Sequence, residues 1–195
     1  MVIQIAQVVL LALVSCQVWI QSAEAGEQAD RELAAKRISV VLSNADWVLA
    51  KKSTGKTEAD KKRTEYLYGN RKTKGLLMIS IIEEGQMPAD ESEVADFIKR
   101  FEGLGYIVKG CRFVPEKRNT FLIEDASRVI EGSLVVSTMV FIQGDGEIYC
   151  IMGTVVDEKP GFHERISVIR QVSLEGNELS ERFLGVAQGQ DRLPP

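Results

Sequence analysis

From Gly75 to Glu83 the chain reads Gly-Leu-Leu-Met-Ile-Ser-Ile-Ile-Glu, apolar at odd and even positions alike. Successive strand side chains point to opposite faces, so a strand apolar at both parities has to be covered on both sides. The β-branched run Ile38 to Leu42 predicts an earlier strand, and Asn44-Ala45-Asp46 turns the chain before Trp47. Thr64 to Tyr68 alternates well enough for a strand and Gly69-Asn70 marks a turn. Tyr106 to Val114, ended by Pro115, and Thr120 to Ala126 predict two more strands. Val129 to Gln143 reads as one long β-rich run. It turns at Gly144-Asp145-Gly146 and returns as Glu147 to Val156, a hairpin pattern.

Two segments change period from 2 to 3.6. After Pro88-Ala89-Asp90, the residues Val94, Phe97, Ile98 and Phe101 fall on one helical face, and Gly103 and Gly105 stop the run. Asp90 is placed to cap this helix, with Glu93 three residues on. Pro160-Gly161 opens a last helix through Phe162, Ile166, Ile169 and Val172. Glu27 to Arg37 is polar and suits a tether or short helix. Lys51 to Arg63 is polar and basic and predicts a loop with a helical turn. From Glu175 the pattern is lost, which predicts a loose tail over 175–195. Strands that mostly follow one another give an antiparallel sheet, and the helices pack on it. The expectation is one α+β domain over 38–174, joined by a polar tether at 26–37.

The N-terminus changes the picture of where this domain works. Residues 2–20 carry no charge, the first charged side chain is Glu24, and Ala23-Glu24-Ala25 follows as an A-x-A site. That is the pattern of a secretory signal peptide over 1–25, although no Lys or Arg precedes the apolar run. A retained anchor helix is the alternative. Leu13-Val14-Ser15-Cys16 resembles the lipobox of bacterial lipoproteins, in which the cysteine, here Cys16, is acylated. The expected location is therefore periplasmic or extracellular, soluble or membrane-tethered.

Composition is that of an ordinary globular chain, 45% apolar and 27% charged. The net charge of −4 argues against a general nucleic-acid binder. It is unevenly spread: Lys51, Lys52, Lys56, Lys61, Lys62, Arg63, Arg71, Lys72 and Lys74 face only Glu58, Asp60 and Glu65 in the same stretch. Such a stretch attracts an anionic membrane surface or an acidic protein partner, or else is a solvated loop balancing an acidic body. Cys111 and Cys150 remain after a cut at Ala25. In an oxidising compartment they either pair or pack as small apolar residues.

Other chemistry is poorly served. Gly55-Lys56-Thr57 ends like a phosphate-binding loop, but Ala50 stands where the first glycine is required. His163 is the single histidine and sits beside Glu164 and Arg165, as on a solvated helix face. Glu83-Glu84 and Glu124-Asp125 are read as acids at strand ends, and Asp145 as a turn residue. No metal or cofactor is expected.

The order of elements resembles the PsbP-like family of exported α/β/α sandwich proteins. The likeness runs from Ile38 to Leu42 with Asp46-Trp47, through Leu76 to Ile82 and the helix Ser92 to Phe101, to Tyr149-Cys150-Ile151-Met152-Gly153 and the closing helix. Asn44 and Ala45 stand where the family often has a proline before its tryptophan. The resemblance implies an α/β/α sandwich and a non-catalytic protein that binds or stabilises partners. A carboxylate-based hydrolase and a small-ligand carrier are the alternatives.

Overall fold

The computed structural model describes residues 23–57, 60–73, 75–103, 105–114, 117–130, 132–155, 161–180 and 183–185. Cys16, Lys74 and most of the expected leader lie outside the described residues. Helix α1 spans Ala23–Ala35, so the expected cut after Ala25 falls within its first turn. Strand β1 is Ile38–Val40, β2 Trp47–Lys56, β3 Lys62–Asn70 and β4 Gly75–Glu83. Helix α2 (Glu91–Gly103) leads to β5 (Ile107–Val114), β6 (Lys117–Ile130), β7 (Ser133–Gln143) and β8 (Glu147–Val155). Helix α3 (Phe162–Ile169), β9 (Val172–Leu174) and β10 (Asn177–Glu178) follow.

Seven strands form one antiparallel sheet in the order β2-β3-β4-β8-β7-β6-β5, and β1, β9 and β10 form a small second one. The expected α+β domain built on an antiparallel sheet is therefore present. Its centre is β4 paired with β8, from Gly75 opposite Val155 to Glu83 opposite Glu147. Those pairs define two ends of the sheet, a Gly75 end and a Glu83 end. On one face Leu77, Ile79, Ile81, Val140 and Ile151 pack with Leu33 of α1 and Ile166 and Ile169 of α3. On the other, Met78, Ile82, Met139 and Met152 pack with Phe97 and Phe101 of α2. Phe97 meets the rings of Phe121 and Phe141 edge-on, at 5.9 and 5.2 Å between centroids, a favoured arrangement of ring quadrupoles.

Local chemistry sets the helix ends as expected for α2. The Glu93 N–H donates to Asp90 Oδ1 at 3.1 Å, and Glu93 Oε2 accepts from the Ala89 N–H at 2.8 Å. Helix α3 lies close on β8 because residue 153 is glycine: a Cβ there would sit 2.5 Å from the Arg165 carbonyl oxygen.

Several expectations are corrected. Of the tether and the short helix, the segment before β1 is the helix, α1, held because Ala29 and Leu33 are buried and Tyr66 and Tyr68 donate to Glu32 and Asp30 at 2.8 and 3.3 Å. The basic loop at Lys51–Arg63 is a β-hairpin, with Lys56 opposite Lys62 and the Thr57 N–H bonded to the Lys61 carbonyl. As an edge strand β2 needs no apolar alternation, and edge lysines discourage sheet-to-sheet pairing. The run Val129–Gln143 is broken at Gly132, whose φ of 81° makes the β6–β7 turn. Val172 leaves α3 and pairs with Val40 in the small sheet. The expected loose tail is corrected over its described residues 175–180 and 183–185, where Leu179 and Leu184 are buried in the α1/α3 core.

Gly153→Ala pushes α3 off the sheet and is expected to lower the unfolding free energy by about 1–3 kcal/mol. Thermal and urea denaturation measure it, and an unchanged midpoint contradicts the close packing.

Candidate functional site

The cations expected to form one contact surface are divided by the strands that carry them. Lys56, Lys61, Lys62 and Arg63 lie at the Glu83 end, Arg71 and Lys72 lie in the β3–β4 turn at the Gly75 end, and Lys51 and Lys52 lie between. The length of β3 separates the two groups by about 27 Å. Among the described residues no single basic face results.

At the Glu83 end the cations meet carboxylates. Lys56 pairs with Asp60 at 2.8 Å, Lys61 with Glu84 at 2.6 Å and Lys62 with Glu83 at 2.7 Å. Asp60, Lys61, Lys62, Glu83 and Glu84 together line a polar crevice of about 350 Å³. The Lys61 ammonium beside Glu84 lowers that carboxyl below its usual range, and Glu83 raises the Lys62 ammonium. Exposed pairs of this kind add little stability, but they cancel the local field. Lys52 is likewise drawn to Glu32 at 2.6 Å.

Arg63 does not reach solvent. It is buried on the α2 face of β3 beside Glu65, with 3.3 Å between Nε and Oε1. Ser53 donates to Glu65 at 3.3 Å, and the register sets Ser80 opposite Glu65 and Cys150 opposite Ser80. Burial raises the Glu65 carboxyl above its usual range, against the lowering by Arg63. The Lys-Arg-Thr-Glu-Tyr run held a signal for this. Arg63, Glu65 and Leu67 share one parity, Tyr66 and Tyr68 the other, and the strand next to β4 must be buried on both.

Of the two readings of Cys111 and Cys150, pairing and separate packing, the structure shows no bond. Both thiols are free, Cys111 exposed on edge strand β5 and Cys150 buried on β8. Three strand spacings separate them, about 14 Å, twice the Cα reach of a disulfide. Desolvation pushes both thiols above the usual range, Cys150 the further.

Glu124 and Asp125 are not at a strand end. They occupy a bulge in β6, where the register slips between Ile123 and Ala126. Glu124 accepts from Arg112 Nε at 3.0 Å and Asp125 from the buried Arg165. Arg165 Nε also donates to Thr138 Oγ1 at 3.0 Å, and Thr138 donates to the Glu124 carbonyl at 2.7 Å. The two acids thus fasten α3 and β5 to the bulge. Glu83 and Glu84 are held by separate lysines, and among the described residues no cluster of His, Cys, Asp and Glu has the geometry of a metal site. Between α2 and the sheet, Met87, Phe97, Phe121 and Phe141 line a cavity of about 10 Å³, room for about one water.

Two outcomes follow from these placements. Glu65→Gln imitates the protonated carboxyl. A raised folded pKa means that ionising Glu65 costs stability as pH climbs from the unfolded value of 4.5. The variant is therefore expected to gain on the wild type as pH rises above about 4.5, read by urea denaturation at each pH; a pH-independent difference contradicts the burial. Brief alkylation of the native protein is expected to label Cys111 and spare Cys150 in peptide mass mapping, and equal labelling contradicts the fold.

Comparison with family models, with curated proteins and with solved structures finds no match for this chain.

Proposed function

We propose that this is an exported, non-catalytic binding protein that acts by surface contact with a partner protein or a membrane, on an α/β/α sandwich of the PsbP-like kind. Support for the sandwich comes from α2 on one face of the sheet and α1 and α3 on the other. The observation that carries the functional reading is the disposition of the acids. Glu83, Glu84, Glu124 and Asp125 each meet a different cation, Lys62, Lys61, Arg112 and Arg165. A carboxylate hydrolase needs two acids converging on one cleft with their pKa values driven apart. Glu65, the acid raised by burial, lies beside Arg63 and has no acidic neighbour in the register of β2 or β4. A carrier needs a mostly apolar cavity of a few hundred cubic ångströms; the space beneath α2 is about 10 Å³, and the larger hollows, of about 490 Å³ at Arg37 and Glu175 and about 350 Å³ at Lys61 and Glu84, are open and rimmed by charge. Export rests on the uncharged run at 2–20 and the Ala23-Glu24-Ala25 site, with Cys16 as the acylation position if the lipobox is used.

Intact mass and protease accessibility of the chain in its host test this reading. The expected result is a shortened chain, cut at Ala25 or acylated at Cys16, that external protease reaches. A full-length chain beginning at Met1 and protected inside the cell contradicts it.

A further inference from the structure

At the Gly75 end the last described residue of β8, Val155, pairs with Val136, and Val136 pairs in turn with Ser127. Beyond that row lie the hairpin pairs Arg128–Val135, Val129–Leu134 and Ile130–Ser133. At strand spacing the tip lies about 10 Å beyond the Val155 row. Its two parities differ. Ile130 and Val135 are buried in the core under α2, whereas Val129 and Leu134 point the other way and are 64% and 44% exposed. Ile107, opposite Ser127 on that same face, is 63% exposed. Directly opposite and diagonal positions are side-chain neighbours, so the three form one aliphatic group. Single exposed apolar residues are ordinary; three adjoining ones at a hairpin tip mark a contact surface.

The same end carries exposed cations. Arg71 and Lys72 sit in the β3–β4 turn, and Lys109 stands two residues along β5 from Ile107. Among the described acids at this end, Glu27 pairs with Arg31 at 3.6 Å, Asp30 accepts from Tyr68, Asp46 pairs with Lys72 at 3.2 Å, and Asp125, opposite Lys109, meets Arg165. The opposite end has its lysines cancelled by Asp60, Glu83 and Glu84. The chain also enters the domain at the Gly75 end. Along α1, Asp30 meets Tyr68, Glu32 meets Tyr66 and Lys36 meets Glu147, so the helix runs from the Gly75 end to the Glu83 end. The N-terminus of α1 at Ala23 therefore lies at the end that carries Ile107, Val129 and Leu134.

We propose that the Gly75 end docks on an anionic lipid bilayer. Ile107, Val129 and Leu134 enter the boundary between headgroups and acyl chains, and Arg71, Lys72 and Lys109 lie against lipid phosphates. Aliphatic insertion beside cations is how peripheral proteins hold such surfaces. This rests on the surface-contact reading above and names its face and partner.

The test is cosedimentation of the chain cut after Ala25, which carries neither Cys16 nor the uncharged run 2–20. Vesicles of mixed phosphatidylcholine and phosphatidylglycerol are compared with phosphatidylcholine alone. Binding is expected to the mixed vesicles only and to weaken in high salt. It falls about tenfold or more in Ile107→Thr/Val129→Thr/Leu134→Thr, whose exposed positions leave the melting midpoint unchanged, and it persists in Lys61→Glu/Lys62→Glu. Undiminished binding by the triple variant overturns the proposal, as does equal binding to phosphatidylcholine alone. Capture of a protein partner without vesicle binding overturns the bilayer as partner and leaves the surface-contact function standing. Loss of both removes the functional reading itself.

Discussion

Leu77, Ile79 and Ile81 of β4 point into one core while Met78 and Ile82 point into the other. A strand that is apolar at both parities loses its hydrophobic contribution unless both faces are dry. The rest of the domain follows from that requirement. β4 cannot be an edge, so β3 and β8 flank it. One face takes α1, α3 and the segment through Leu179 and Leu184, and the other takes α2. Gly153 lets α3 approach, and the bulge at Glu124–Asp125 receives the Arg165 side chain that fastens it.

The same requirement reaches outward to the charged groups. Because β3 lies beside β4, its own residues are drawn in, and Arg63 and Glu65 are buried as a pair beneath the α2 face. Because β2 is the edge, Lys52 and Lys56 stay near solvent and find carboxylates at Glu32 and Asp60. Among its described residues, a basic stretch in the sequence thus becomes a buried residue, a set of neutralised pairs that includes Lys72 with Asp46, and a small remainder at Arg71. The remainder lies at the end where the hairpin tip shows its apolar side.

The two-sided strand, the β7–β8 hairpin and the Asp90-capped helix were legible in the residues, because each depends on a local pattern. What was not legible depended on neighbours. The segment Lys51–Arg63 looked like a loop since an edge strand needs no alternation, and only pairing with β3 orders it. Residues 26–35 suited a tether as well as a short helix since Ala29 and Leu33 are few, and the carboxylates that bind Tyr66 and Tyr68 are ordinary surface residues until the sheet exists. The break at Gly132 was hidden inside a run of β-forming residues on both sides. The candidate site suffered most, because β3 parts the eight described cations of the stretch, four at one end, two at the other and two between.

Hydrogen exchange of the mature chain, with and without anionic vesicles, reads the orientation of this domain most directly. The account predicts added protection confined to the Gly75 end, in 70–73, 105–109 and 127–135, with the Lys56–Lys62 hairpin turn unaffected. Protection at residues 55–63 and 83–85 instead, or at neither end, contradicts it.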